Sequence, residues 1–131
     1  MKYMLDTNIC ISLLKHDPRA MHLFALKKED GAAISAITLA ELEFGVWNSA
    51  AFERNRLALL SFLPLVDVLP FDSGAALEYG KIRASLRKMG TPVGQMDMLI
   101  AAHAKSKGLI IVTNNTREFS HINGVEMENW I

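Results

Sequence analysis

Short apolar segments alternate along the chain with longer segments whose apolar residues recur at helical spacing. The short segments, each compatible with a buried strand, are residues 2–5, 32–35, 65–69 and 109–112, with a weaker one at 125–127. The longer segments, predicted as helices, are residues 9–15, 18–28, 38–48, 51–63, 73–89 and 96–107. This alternation predicts an α/β fold with a central, mostly parallel β-sheet flanked by helices on both sides.

The first strand ends at a carboxylate. Asp6 follows Met4-Leu5 directly, and Thr7 and Asn8 after it are both good N-cap residues for the next helix. Open α/β sheets bind their ligands at the carboxyl ends of their strands. Asp6 is therefore a candidate functional residue, and the alternative is an ordinary turn residue.

The composition is that of a globular protein without a strong charge. The 131 residues fit one domain, 50 % of them are apolar, and fourteen basic residues balance fourteen acidic ones, so any nucleic-acid contact must come from a local basic patch. The single Cys10 cannot form an intrachain disulfide. Because neither a signal-peptide pattern nor a membrane-spanning run occurs, we expect a cytoplasmic protein without a membrane contact.

Three acids are placed so that the fold could bring them together. Asp6 ends the first strand, and Glu41 and Asp97 lie in the first turns of predicted helices. In a parallel α/β sheet the strand ends and the following helix starts share one edge. Converging carboxylates repel one another unless a cation neutralises them, and Mg²⁺ or Mn²⁺ is the hard, oxygen-preferring candidate.

Both helix acids also have a purely structural explanation. Thr38 and Glu41 have the spacing of a capping box, in which the acid caps its own helix. Asp97 could simply complement the positive end of a helix dipole. However, Asp97 lies in an otherwise apolar segment with no Lys or Arg nearby, and a partly buried acid needs a partner.

A polar loop follows the strongest strand. Thr113 and Asn115 could hold water or a phosphate oxygen, and Glu118 could add a fourth carboxylate. The alternative is an Asn-rich turn without a function.

These motifs together resemble the PIN-domain family, and in particular VapC toxins of type II toxin–antitoxin pairs. The matching segments run through the whole chain in order: residues 4–11, 35–42, 94–104, 112–119 and 128–130. The resemblance implies a single PIN domain over residues 1–131, with a small parallel sheet between helices.

The resemblance also implies a function. It implies a Mg²⁺- or Mn²⁺-dependent endoribonuclease of structured RNA, such as tRNA anticodon stem-loops, that forms homodimers and is inhibited by a cognate VapB-type antitoxin. The family's metal-binding acids correspond to Asp6, Glu41 and Asp97. The fourth family position is usually Asp and corresponds to Asn115, which carries no charge, so Glu118 is the alternative fourth ligand.

The expected mechanism is hydrolysis by water. A metal lowers the pKa of water and neutralises charge at the phosphorus. Thr7, Asn8 and Thr113 are expected to orient water or phosphate. The products should carry 5′-phosphate and 3′-hydroxyl ends, because water and not the ribose 2′-hydroxyl attacks.

Candidate contact residues for RNA and protein partners are less specific. The basic candidates for RNA binding are Arg83, Arg87, Lys88 and Arg117, together with Lys81, Lys105 and Lys107. Large apolar side chains that could form an antitoxin groove, a dimer surface or plain core are Met21, Phe24, Phe44, Trp47, Phe52 and Phe62.

Several rival functions remain at this point. A metal-free ribonuclease would use histidine, but His103 lies on an apolar helix face and is expected to be packed. A haloacid-dehalogenase-like phosphatase requires an acid where Asn8 stands, and a receiver domain requires early paired acids and a late Lys. A degenerate PIN domain would bind RNA or a protein without cleavage, and Asn115 is the residue that favours it.

Overall fold

The fold is built on one five-stranded sheet in which every strand pair is parallel. The computed structural model describes residues 1–131, and the strand order is β3-β2-β1-β4-β5. The strands are β1 (Tyr3–Leu5), β2 (Ala32–Ser35), β3 (Asp67–Leu69), β4 (Ile110–Val112) and β5 (Met127–Glu128). The predicted parallel α/β architecture is confirmed.

Helices cover both faces of the sheet. They are α1 (Thr7–Leu14), α2 (Pro18–Lys27), α3 (Ala36–Trp47), α4 (Phe52–Phe62), α5 (Ser73–Met89), α6 (Gln95–Ser106) and α7 (Thr116–Phe119), with 3₁₀ turns at Lys28–Asp30 and Leu63–Leu65. Successive side chains of β1 point to opposite faces. Tyr3 and Leu5 therefore join the core under α1 to α4, and Met4 joins the core under α5 and α6.

Two predicted helix starts were wrong. Helix α1 begins at Thr7, and its N-cap is Asp6, whose Oδ1 accepts a hydrogen bond of 2.9 Å from the Ile9 N–H. Helix α3 begins at Ala36 and is capped by Ser35, whose Oγ accepts from the Ile37 N–H at 3.1 Å. In both cases the polar residue nearest the end of the strand reaches the free N–H groups first.

The early start of α3 removes one structural explanation for Glu41. Thr38 is the third residue of the helix and is buried, so it is not an N-cap. The capping-box interpretation of Thr38 and Glu41 is therefore wrong, because the free N–H groups that it requires lie earlier, at the Ser35 cap.

The predicted start of α2 at residue 18 and the predicted bounds of α5, residues 73–89, were confirmed. Asp17 caps α2 with Pro18 as its first residue, and Asp72 caps α5. Gly90 ends α5 with a φ of 65°, a left-handed conformation that glycine adopts without strain.

Some residues are more exposed than the hydrophobic pattern of the sequence predicts. Strand β3 was expected to be buried on both faces, yet it is an edge strand with exposed side chains. Several large apolar side chains of the helices are exposed: Met21, Leu26, Trp47, Leu60 and Met89. A helix on a sheet buries one stripe, and the remaining apolar side chains face solvent or grooves. No helix is both long and apolar enough to span a membrane.

Candidate functional site

The three predicted acids meet in one cavity at the carboxyl edge of the sheet. Asp6 follows β1, Glu41 projects from α3, and Asp97 from the first turn of α6. The cavity has a volume of about 480 Å³ and is lined by Asp6, Thr7, Asn8, Ile11, Ala40, Glu41, Phe44, Met96 and Asp97. The sequence prediction that these carboxylates converge is confirmed as geometry.

Asp6 lies at the bottom of the cavity and is 2 % exposed. The Ile9 N–H and the Thr113 side chain hold its carboxylate by hydrogen bonds, which favour the charged form. Burial nevertheless raises the pKa of Asp6 to about 6, and repulsion from Asp97 and Glu41 contributes in the same direction. The protein thus holds a carboxylate where its charge is costly.

Glu41 is fixed by a neighbouring hydroxyl. The Thr7 hydroxyl donates to Glu41 Oε1 at 2.5 Å, and its oxygen lies 3.4 Å from the hydroxyl oxygen of the buried Thr38. Thr7 therefore orients a carboxylate in this structure. Its neighbour Asn8 is exposed and borders the cavity, where its amide is free to meet a ligand.

Asn115 links two carboxylates on the other side of the cavity. Its Nδ2 donates to Asp97 Oδ2 at 3.2 Å and to Glu118 Oε2 at 3.0 Å. The pKa of Asp97 is raised, first by burial and then by the charges of Glu118 and Glu41, against the lowering effect of the Asn115 amide. Asn115 and Glu118, the two candidates for the fourth position, therefore both contact Asp97, and the amide donates to two neighbouring carboxylates.

Thr113 connects the Asn-rich loop to Asp6. Its side-chain oxygen accepts a hydrogen bond of 2.9 Å from the Asn115 N–H, and its side chain bonds to Asp6. Thr113 is fully buried. The loop after β4 is thus tied to the residue that ends β1, and the turn has a supporting role in the acid cluster.

No basic side chain lines this cavity. All ion pairs of the chain lie elsewhere: Lys27–Glu128, Arg56–Glu43, Lys81–Glu78, Lys105–Glu78 and Lys107–Asp72. The negative charges of Asp6, Glu41 and Asp97 are therefore uncompensated by the protein, and a cation is the partner that they lack.

The donor set fits a hard divalent cation. Every polar side chain of the cavity presents oxygen, apart from the amide nitrogen of Asn8. No three His, Cys, Asp or Glu side chains are arranged to enclose an ion by themselves. Mg²⁺, however, keeps several waters and uses only one or two carboxylates plus substrate phosphate, so a closed protein cage is not required.

The predicted RNA-binding residues are only partly linked to the cavity. Arg83 donates to the Tyr79 hydroxyl at 3.0 Å, and that hydroxyl also accepts from Gln95 at 3.2 Å, two residues before Asp97. Three other candidates are exposed, lie outside the cavity lining and form no ion pair: Arg87, Lys88 and Arg117. The last three, Lys81, Lys105 and Lys107, also lie outside the lining and form ion pairs with Glu78 or Asp72.

His103 is packed as expected. Its Nδ1 lies 2.8 Å from Ser35 Oγ, and its ring meets Phe71 edge-on at a centroid distance of 5.4 Å. Burial lowers the pKa of His103 and favours the neutral ring. No histidine lines the acid cavity, so histidine-based chemistry has no support there.

Reasoning from the acids alone missed the apolar part of the cavity. Phe44 was assigned only to a partner surface or the core, and Met96 was not singled out, yet both line the cavity. The available signal was spacing, because Phe44 follows Glu41 by three positions and Met96 precedes Asp97.

Comparison with known proteins identifies the family of this chain. The PIN domain family model matches residues 3–125. The tRNA(fMet)-specific endonuclease VapC of Shigella flexneri is 45 % identical over 130 residues, covering 99 % of this chain and 98 % of that protein. Ribonuclease VapC2 of Haemophilus influenzae is 40 % identical over 131 residues, covering 100 % and 99 % of the two chains.

A solved structure is similar over the whole chain. The crystal structure of VapBC2 from Rickettsia felis, bound to a DNA fragment from their promoter, contains a chain that superimposes with a TM-score of 0.95 at 38 % identity, covering 100 % of both chains. Similarity of fold and of sequence therefore extends over essentially the whole chain.

Proposed function

The chain belongs to the PIN-domain family as a VapC-type member, and on this premise we propose that it is the endoribonuclease toxin of a toxin–antitoxin pair. It hydrolyses phosphodiester bonds of structured RNA with Mg²⁺ or Mn²⁺. The observation that carries the proposal is the single cavity in which Asp6, Glu41 and Asp97 converge without any basic partner. Because the Shigella flexneri relative is named for tRNA(fMet), tRNA is the proposed substrate, cut in its anticodon stem-loop.

Asp6, Glu41 and Asp97 would hold the divalent cation. When bound, such an ion lowers the pKa of water and neutralises charge on the phosphate. Thr7 keeps Glu41 turned into the cavity, and Thr113 holds Asp6. Because no basic side chain lines the cavity, binding of the cation depends on the charges of these acids. Products with 5′-phosphate and 3′-hydroxyl ends follow from attack by water.

Asn115 and Glu118 complete the proposed site together. The Asn115 amide donates to Asp97 and Glu118, so it sets the separation of the two carboxylates. Glu118 supplies the negative charge that an amide at position 115 cannot. We assign Glu118 a supporting contact, directly or through water, and Asn115 the role of positioning Asp97.

The proposal is tested by cleavage of purified tRNA and total RNA by the antitoxin-free chain in Mg²⁺. Asp6→Asn, Glu41→Gln and Asp97→Asn each remove one charge of the cavity and are expected to abolish cleavage while the proteins stay folded by circular dichroism. Glu53→Gln, an exposed α4 carboxylate outside the cavity, is the control and should cleave normally. Cleavage that survives loss of the cavity acids would contradict the proposal.

We also propose a VapB-type antitoxin as the protein partner, consistent with the VapBC complexes among the structural neighbours. A groove of about 540 Å³ between α1, α2 and α4 is the proposed seat of an apolar antitoxin segment, with Leu14, Phe24, Leu57 and Phe62 in its wall. A homodimer and a cytoplasmic location belong to the same proposal. Sedimentation of the chain, alone and with its antitoxin, tests the assembly.

The second candidate is a degenerate PIN domain that binds RNA or protein without cutting. Asn115 favours it, because this residue cannot add a charge to the cluster. The cleavage experiment separates the two, since folded wild-type protein that binds RNA but cuts none in Mg²⁺ or Mn²⁺ would favour this candidate.

A further inference from the structure

The catalytic cavity has an apolar wall beside its acid wall. Ile11, Ala40, Phe44 and Met96 form it. Phe44 is 68 % exposed and Met96 is 50 % exposed, so two large apolar side chains are presented to solvent at the mouth of a charged site. An arrangement of this kind costs free energy in the free protein and indicates a ligand with an apolar face.

The helices that carry the acids also carry this wall. Glu41 and Phe44 are three residues apart on α3 and therefore lie on the same helix face. Met96 precedes Asp97 in the first turn of α6. A group that meets the acids in this cavity consequently also faces the wall that contains the Phe44 ring.

Phe44 is also free of any ring partner within the chain. The aromatic pairs are Tyr3–Trp130, Phe24–Trp130, Trp47–Phe52 and Phe71–His103. Trp47, one turn further along α3, is equally exposed but packs against Phe52 at a centroid distance of 4.9 Å and does not line the cavity. The face of Phe44 is thus open to a ligand, whereas the Trp47 ring is already in contact.

We propose that the apolar wall is a nucleobase subsite, in which an unpaired base next to the scissile phosphate stacks on the ring of Phe44. The inference rests on the proposed ribonuclease function and specifies which part of the RNA the cavity holds. Single-stranded RNA is bound by stacking splayed bases on aromatic side chains. Met96 borders the base through its polarisable sulfur. The cavity volume of about 480 Å³ lies in the range of ligand pockets.

A stacking subsite selects RNA by its structure, an unpaired base, more than by its nucleotide sequence. Every base has a π-face, so a stacking platform tolerates all bases, but a base inside a duplex cannot leave its neighbours cheaply. The subsite therefore directs cleavage to loops and bulges, where a base is already unpaired.

The test measures RNA binding separately from cleavage. The Asp6→Asn protein, which keeps its helix cap and is expected not to cut, is titrated with short single-stranded RNAs carrying 2-aminopurine at each position in turn. In this background Phe44→Ala is expected to weaken binding roughly 5- to 150-fold and to remove the fluorescence quenching of one 2-aminopurine. Phe44→Trp should retain both, and Trp47→Ala is the matched control that should change neither.

A cleavage cycle supplies the second readout. An RNA made abasic at the quenched position should lose kcat/KM in wild-type protein by about the factor lost in Phe44→Ala, and combining the two changes should add little further loss. Three results overturn the proposed subsite. They are an unchanged RNA affinity of Phe44→Ala, a loss of affinity in Trp47→Ala as large as that in Phe44→Ala, and no detectable RNA binding by the Asp6→Asn protein. A change in sedimentation with unaltered RNA binding overturns it too and makes Phe44 a protein contact. Wild-type protein that cuts no RNA refutes instead the proposed function.

Discussion

Replacing Asp6 by Asn should make the metal-free protein more stable. Asp6 is buried with its pKa raised to about 6, so the folded chain holds its proton more tightly than the unfolded chain does. Protonated Asp6 therefore contributes stability that is complete below its usual pKa near 4 and is lost as the pH rises through 6. Asn resembles the protonated acid and caps a helix equally well.

The size of the effect follows from the shift. A pKa raised from 3.8 to about 6 corresponds to about 3 kcal/mol of stability at neutral pH. Without divalent ions, the free energy of unfolding of Asp6→Asn should exceed that of wild type by up to this amount at pH 8. The two values should be equal near pH 4. A cation that binds the folded site should reduce the difference, because binding stabilises wild type only.

Urea unfolding in EDTA between pH 4 and pH 8, repeated with Mn²⁺, measures both effects. Asp17→Asn makes the same substitution at the N-cap of α2, outside the cavity, and is the matched control for changing a cap residue from Asp to Asn. If Asp6→Asn is no more stable than wild type at pH 8, burial of this carboxylate is not costly and the reasoning fails.

Three further predictions address the amide, the groove and the core. Asn115→Asp places a third carboxylate beside Asp97 and Glu118. Calorimetry should therefore show tighter Mn²⁺ binding, and thermal unfolding in EDTA should show a lower Tm. An unchanged Mn²⁺ affinity would argue against a ligand position at residue 115. Leu57→Glu puts a charge in the exposed groove and should weaken antitoxin binding at least about 10-fold in a binding titration, with RNA cleavage retained; undiminished antitoxin binding would place the partner elsewhere. Trp130→Ala empties a buried site against Tyr3 and Phe24 and should cost about 3–5 kcal/mol in urea unfolding, and a much smaller loss would mean that the site collapses.

The convergence of the acids was predictable because it depends only on topology. Once strands and helices alternate in a parallel sheet, a residue that directly follows β1 and residues in the first two turns of α3 and α6 lie near one edge. Glu41, predicted for the first turn of its helix, lies in the second turn because α3 begins at Ala36. Asp6, Glu41 and Asp97 occupy these positions, and the structure brings them into one cavity. Their roles in metal binding remain a proposal.

The helix starts were less predictable because several neighbouring residues cap equally well. Asp6, Thr7 and Asn8 all have suitable side chains. Strand pairing determines which residue caps the helix. The Asp6 N–H still donates to the Val112 carbonyl at 2.9 Å, and the chain leaves the strand directly afterwards. Pairing between distant strands is not visible in a local sequence pattern.

Helical spacing also could not predict which large apolar side chains point into the core and which point into a cavity or towards solvent. Helix α3 packs against the sheet and against other helices, so its apolar residues point in several directions. Val46 is buried, Trp47 packs against Phe52 near the surface, and Phe44 lines the cavity. Only the arrangement of the neighbouring elements distinguishes these positions.

The most direct test of the central claim, that these acids hold a divalent ion for hydrolysis of RNA, is the end chemistry of the cut RNA. Wild-type protein should be stripped with EDTA, assayed on tRNA, and assayed again after Mn²⁺ is restored. If the acids act through a bound divalent ion, the protein makes no cuts in EDTA, and the cuts restored by Mn²⁺ carry 5′-phosphate and 3′-hydroxyl ends. Cuts in EDTA would contradict this claim because no divalent ion would be needed, and 2′,3′-cyclic phosphate ends would contradict it because the ribose 2′-hydroxyl, and not water, would be the nucleophile.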